Sequence, residues 1–81
     1  MAMHEFRFDV AQELWSELKS TDIELEPEHE LGRVERAILQ QRFRELARRL
    51  WVVTGEPQFR TIEMRGTITS EDRSSGIVGL L

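Results

Sequence analysis

The apolar positions near the start of the chain follow two periods in succession. In EFRFDV (5–10), two phenylalanines and a valine alternate with charged residues, which is the pattern of a half-buried strand. Val10, Leu14 and Leu18 then recur at four-residue spacing, which is typical of an amphipathic helix. The pattern therefore predicts a strand over 5–10 and a short helix over 11–20.

The acidic stretch that follows, residues 21–30, allows two interpretations. Ile23 and Leu25 alternate with acidic residues, so the stretch forms either a short edge strand or an extended link. Pro27 disfavours a helical conformation at the preceding residue and suits the first turn of a helix. We therefore predict that the next helix, a long one, covers residues 28–53.

The remainder of the chain predicts two further strands. Gly55 and Pro57 form a helix stop signal. Apolar and polar residues alternate in 57–69, which predicts a strand, and the polar SEDRSSG (70–76) predicts a loop. IVGLL (77–81) is predicted to be a terminal strand that pairs with 57–69 or adds to the sheet of a second copy.

These elements give the order β-α-(β)-α-β-β, an α+β fold in which the long helix packs on a small antiparallel sheet. We expect the 81 residues to form one domain, 1–81, with a thin core, because a chain this short buries only about 60–65% of its unfolded surface. Cysteine is absent, so disulfides and thiolate metal sites cannot support that core. Assembly, most simply as a homodimer, is the expected additional support.

The apolar residues of the long helix are predicted to form two faces. At about 100° per residue, Leu31, Val34 and Ile38 point in one general direction. The second face is made of larger residues in the later turns: Leu39, Phe43, Leu46 and Leu50. One face is predicted to contact the sheet, and the other the first helix or a second subunit.

Charge is distributed unevenly along a chain whose net charge is -4 and whose pI is about 5.1. Residues 1–31 hold nine acidic residues against two basic ones, whereas residues 32–55 hold six arginines against two glutamates. Arg42 and Arg49 lie three and four residues from Glu45, so we predict that they form local ion pairs with it.

The other four arginines of the long helix share one side with a glutamine and a tryptophan, and we call this side the arginine stripe. Its members are the predicted partner-binding residues: Arg33, Arg36, Gln40, Arg44, Arg48 and Trp51. The planar guanidinium group suits bidentate contacts with carboxylates. We therefore predict a small non-catalytic protein-binding protein, acting as a regulator, inhibitor or accessory subunit, whose partner has an acidic surface. The stripe could equally be a solvated helix face, or be covered by residues 22–30 within the fold or across a dimer.

A nucleic-acid-binding protein that contacts phosphates through the same helix is the first alternative. It is less favoured because nucleic-acid-binding domains are usually basic, often with a pI above about 9, and this chain is acidic. A purely structural subunit of a homo-oligomer is the second alternative.

The residues of catalytic chemistry are sparse in this chain. His4 and His29 are the only histidines, and neighbouring acids such as Glu28 and Glu30 do not converge with His29 on one ion when they lie on a helix. We therefore expect no catalytic residue, no metal site and no cofactor. No apolar run reaches the roughly 18 residues that a membrane span needs, and the N-terminus lacks the pattern of a secretory signal, so the predicted location is the cytoplasm.

Overall fold

The part of the chain that the structure describes is all-helical, and the predicted α+β fold with an antiparallel sheet is wrong. A computed structural model describes residues 2–74, with side chains described from residue 8 onward. Within that range there are four helices and no strand: α1 (Ala2–Glu24), α2 (Arg33–Thr54), α3 (Pro57–Arg65) and α4 (Ser70–Ser74).

The predicted strand 5–10 is the N-terminal part of α1. Its alternation involves only three apolar positions, and two of them, 6 and 10, are also four residues apart and continue the spacing of Leu14 and Leu18. Helix elongation fixes one residue per hydrogen bond gained, so a neighbouring helix readily extends over such a segment. Because α1 continues to Glu24, the edge strand is wrong as well, and residues 25–32 form the connection to α2.

The predicted long helix exists as α2, but it begins at Arg33 and not at residue 28. Pro27 and its acidic neighbours belong to the preceding connection, and Gly32, in an extended conformation, is the N-cap residue. The predicted stop is confirmed. Gly55 has a φ of 71°, and its N–H donates to the carbonyl oxygen of Trp51 at 2.7 Å, which is how a left-handed C-terminal residue satisfies a free carbonyl.

The predicted strand 57–69 is mostly helix α3, because helix-terminating signals stand at both of its ends. Pro57 occupies the first turn, where its missing N–H costs nothing. Gly66, with a φ of 82°, ends the helix. Phe59 and Ile62 face the core at helical spacing, whereas Met64 is 77% exposed. The alternation in the sequence therefore did not correspond to two faces of a strand.

The predicted loop 70–76 contains the short helix α4 over its first five residues. The hydroxyl of Thr69 accepts from the N–H of Asp72 at 3.1 Å, and the Asp72 carboxylate accepts from the N–H of Thr69 at 2.8 Å. This reciprocal capping box explains why so short a polar segment is helical. Residues 75–76 and the predicted strand 77–81 lie outside the described residues.

The core lies where α1, α2 and α3 meet. Arg42 contacts Glu17 while Arg36 contacts Leu25, so α1 and α2 run antiparallel. Apolar side chains from the three helices and the following turn are buried: Ala11, Leu14, Trp15, Leu18, Phe43, Leu46, Ala47, Leu50, Phe59, Ile62 and Ile68. The helices, and no sheet, supply the partner for the second apolar face predicted for α2.

One carboxylate holds the C-terminal part of the described chain against α1. Asp22 accepts hydrogen bonds from the Thr67 hydroxyl and the Ile68 N–H, each at 3.2 Å. Its other oxygen pairs with Arg73 at 3.2 Å. The turn between α3 and α4 is thereby fixed to the end of α1.

Candidate protein-binding surface

The arginine stripe does not remain one continuous free surface. Arg36 is half-buried and donates to two backbone carbonyls of the α1–α2 connection, Leu25 at 3.1 Å and His29 at 3.4 Å. A cation near the end of a helix satisfies carbonyl groups that the helix leaves unpaired. Arg36 is thus used to hold the connection. The acidic side chains of that connection stay exposed and do not cover the stripe.

Arg48 forms the second internal contact of the stripe. Its Nε and Nη2 atoms lie 2.9 and 2.8 Å from Oε2 of Glu63 in α3. The Arg48 side chain is nevertheless 70% exposed, so the guanidinium is held in place without being removed from solvent. The sequence of α2 alone showed no acid on this side of the helix, because Glu63 comes from another element.

Trp51, predicted at the end of the stripe, is half-buried and packs against the core. The guanidinium carbon of Arg60 lies 5.3 Å from the centre of its ring, within the range of a cation–π contact. This ring is mainly a junction between α2 and α3, and only part of it is available to a partner.

The three remaining predicted residues, Arg33, Gln40 and Arg44, are exposed. Gln40 borders a polar cleft that Arg36 and Asp22 also line. Among residues 8–74, no hydrogen bond or ion pair is found for the side chains of Arg33 and Arg44. The structure therefore divides the stripe into an internally bonded part and an exposed part.

The predicted local pairs with Glu45 take a different form. Arg42 pairs across the helix interface with Glu17 at 3.3 Å, with both side chains more than half exposed. Glu45 accepts a hydrogen bond from the Gln41 amide at 3.1 Å. Contacts between helices, which spacing along one helix cannot reveal, replace the predicted pairing of Arg42.

A second surface lies beside the stripe, where sequence analysis expected an apolar face for a further neighbour. Val34 and Ile38, one helical turn apart, are 71% and 62% exposed. Ala37 and Gln41 lie beside them, with Arg42 toward the later turns. We call this surface the Val34–Ile38 face. No part of residues 8–74 covers it, whereas the face that includes Phe43 and Leu50 is buried.

Catalytic or metal-binding groups do not converge in the described part of the chain. Across residues 8–74 there is no group of three or more histidine and acidic side chains that could hold a metal ion. The buried acid Asp72 is bound to Arg65, Gln58 and Thr69. Its role is accounted for by the helix cap and by these contacts. None of the helices in the described range is long and apolar enough to cross a bilayer.

Comparison with known proteins was made for the whole chain. No protein-family model matches it, and no curated protein or solved structure matches it significantly. The interpretation of the surface of α2 therefore depends on its own geometry and charge.

Proposed function

We propose that this protein is a non-catalytic protein-binding protein, a regulator, inhibitor or accessory subunit, that recognises an acidic partner through α2. One observation carries the proposal. Arg33 and Arg44 are exposed on the same side of α2 and have no partner among residues 8–74. Eleven residues separate them in the sequence, which corresponds to about 16 Å along a helix.

Two free guanidinium groups at that distance suit a partner with carboxylates on successive turns of its own surface. Each fork can accept a carboxylate in a bidentate contact. Arg48 extends the line beyond Arg44, and its contact with Glu63 fixes the direction of its guanidinium. A side chain that is already held in place loses less conformational entropy when it binds.

The same arrangement favours a protein partner over nucleic acid. Affinity for phosphates depends on the number of cations that neutralise them. Arg36 and Arg48 already have internal partners, and the exposed acids of the α1–α2 connection adjoin the start of α2. We extend the proposal to a cytoplasmic location, where such a partner would be met.

A charge-reversal variant tests this function. Arg33→Glu combined with Arg44→Glu should reduce capture of the partner from a lysate by roughly tenfold or more, because arginines are frequent hot spots. Both residues are exposed, so the thermal melt should be unchanged. Lys19→Glu combined with Arg60→Glu makes the same change of charge on α1 and α3 and should retain capture.

Two results would contradict the proposal. Equal capture by the stripe variant and its control would exclude the exposed arginines as the binding surface. Retention of the wild-type chain on duplex or single-stranded DNA, lost in the stripe variant and on raising salt from 50 to 200 mM, would support the nucleic-acid alternative, since phosphate contacts weaken steeply over about that range.

A further inference from the structure

The Val34–Ile38 face has the composition of a contact surface, not of a solvated helix side. Single exposed apolar residues are ordinary on protein surfaces. Val34 and Ile38 differ because they are adjacent on one face of α2, with Ala37 and the stem of Arg42 beside them. In an 81-residue chain with a small core, two large apolar groups on consecutive turns are a substantial part of the apolar surface left uncovered.

The charges around this face have opposite signs at its two ends. Glu26, Glu28 and Glu30, in the connection before α2, are exposed and form no ion pair within residues 8–74. On the other side, Arg42 and Arg49 are exposed in the later turns. Glu45 lies between these two arginines in the sequence, so this end keeps a net positive charge.

A surface with acids at one end and arginines at the other is complementary to itself when it is turned end for end. We propose that the Val34–Ile38 face binds the same face of a second copy of this chain, with the two α2 helices antiparallel. A two-fold axis midway between Val34 and Ile38 places each apolar pair against the other. Arg42 and Glu30 lie at equal sequence distances from that midpoint, so the arginines of each copy come alongside the acids of the other.

Two-fold symmetry is the simplest closed arrangement for such a surface, because one patch serves both subunits. The interface is small. Specific interfaces bury about 800 Å² per partner, and two side chains with their polar rim supply only part of that area. The dimer is therefore weak and in equilibrium with the monomer at micromolar concentrations. Arg33 lies about 100° around the helix from Val34, so the exposed arginines remain available in the dimer.

The mass of the full chain in solution, measured as a function of concentration, tests this interface. Sedimentation or light scattering between about 1 and 500 µM should show a transition from one chain to two. Ile38→Glu introduces a charge at the centre of the contact and should raise the dissociation constant at least about tenfold. Met64→Glu is the matched control, because Met64 is 77% exposed on α3, and it should leave the constant unchanged.

A charge swap tests the antiparallel arrangement. Glu28→Arg with Glu30→Arg in one chain, and Arg42→Glu with Arg49→Glu in another, should each weaken self-association. Mixing the two variants should restore dimers that contain one of each, because opposite charges again meet. Thermal melts of both variants check that the exposed substitutions leave the helices folded.

The outcomes that overturn the proposal are equally definite. A wild-type chain that stays monomeric up to about 500 µM excludes it, as does equal dimerisation of the Ile38→Glu and Met64→Glu variants. Failure of the mixed charge variants to associate excludes the antiparallel pairing. A photo-crosslinker at position 38 that labels residues 75–81 of its own chain, and not α2 of a second copy, assigns the face to the chain's own C-terminal segment.

Discussion

Asp72 is a buried carboxylate that its neighbours keep ionised. Burial by itself raises its pKa, but the backbone N–H of Thr69 and the side chains of Gln58, Arg65 and Thr69 together lower that pKa to about 2. The shortest of these contacts is the ion pair with Arg65, at 2.6 Å. Because the carboxyl group of the unfolded chain has its pKa near 3.8, the charged form contributes stability above pH 4. That contribution is lost as the pH falls toward 2.

Replacing this carboxylate with an amide should remove the pH-dependent contribution. We expect Asp72→Asn to lower the free energy of unfolding by about 2 kcal/mol at pH 7, which is the value of the shift between the two pKa values. At pH 2 the wild type has lost most of its advantage, so the two proteins should converge. Denaturant unfolding at both pH values measures this, and a difference of the same size at pH 2 would argue against the charged cap.

The role of each arginine could be predicted from the sequence only where its partner lies on the same helix or where it has none. The alignment of Arg33 and Arg44 follows from the helical period, and the structure leaves both exposed. Arg36 and Arg48 find their partners in the α1–α2 connection and in α3. The periodicity of α2 does not contain the positions of those elements. A single-helix analysis therefore overestimates the free charge of such a surface.

At the level of the elements, α3 shows how a period-two pattern can arise on a helix. Ile62 and Met64 alternate with charged residues in the sequence, as on one face of a strand. On α3 they point in different directions, so that Ile62 is fully buried and Met64 is exposed. A nine-residue helix contains only two or three core positions, and such a short series cannot discriminate between the two periods.

This difference makes a direct test of the helix. Ile62→Ala should lower the free energy of unfolding by about 2–5 kcal/mol, because it leaves a cavity in a packed core. Met64→Ala should change it by less than about 0.5 kcal/mol, as is usual for exposed positions. A strand would place both side chains on one face and make the two losses similar. Chemical denaturation of the two variants separates these cases.

The helices could be predicted wherever their boundaries are marked by residues with special backbone properties. Gly55 and Pro57 end α2 and start α3 for stereochemical reasons that the sequence states directly. The start of α2 was missed because Pro27, although compatible with a first helical turn, is equally compatible with a turn. The strand over 5–10 was missed for a different reason, since packing between α1 and α2 decides the conformation there and tertiary contacts override local alternation.

On the scale of the whole molecule, the described chain is an elongated body, about 45 × 22 × 18 Å. α2 is its centre, because it packs against both α1 and α3. Trp15 of α1 and Phe59 of α3 meet edge to face, with their rings 5.9 Å apart. Asp22 adds the polar link between α1 and the turn before α4. Both long helices thus contribute to holding the shorter ones.

Removing that polar link should loosen one end of the molecule and spare the rest. In Asp22→Ala we expect hydrogen exchange at the amides of Ile68 and Arg73 to accelerate by about tenfold or more, since a partly buried charged contact is worth on the order of 1–2 kcal/mol. Amides of α2 near Leu50 should change much less. Glu24→Ala, at an exposed position of the same helix, is the control. Uniform acceleration across the chain would indicate that Asp22 supports the fold as a whole.

The link through Asp22 also orders the steps by which the chain folds. The contacts between α1 and α2 join neighbours across a short connection, whereas Asp22 and Arg73 are 51 residues apart in the sequence. Contacts between distant residues require the closure of a long loop before they repay its entropy. The pair of long helices therefore forms the nucleus, and the carboxylate of Asp22 acts late, as a latch that slows unfolding without hastening collapse.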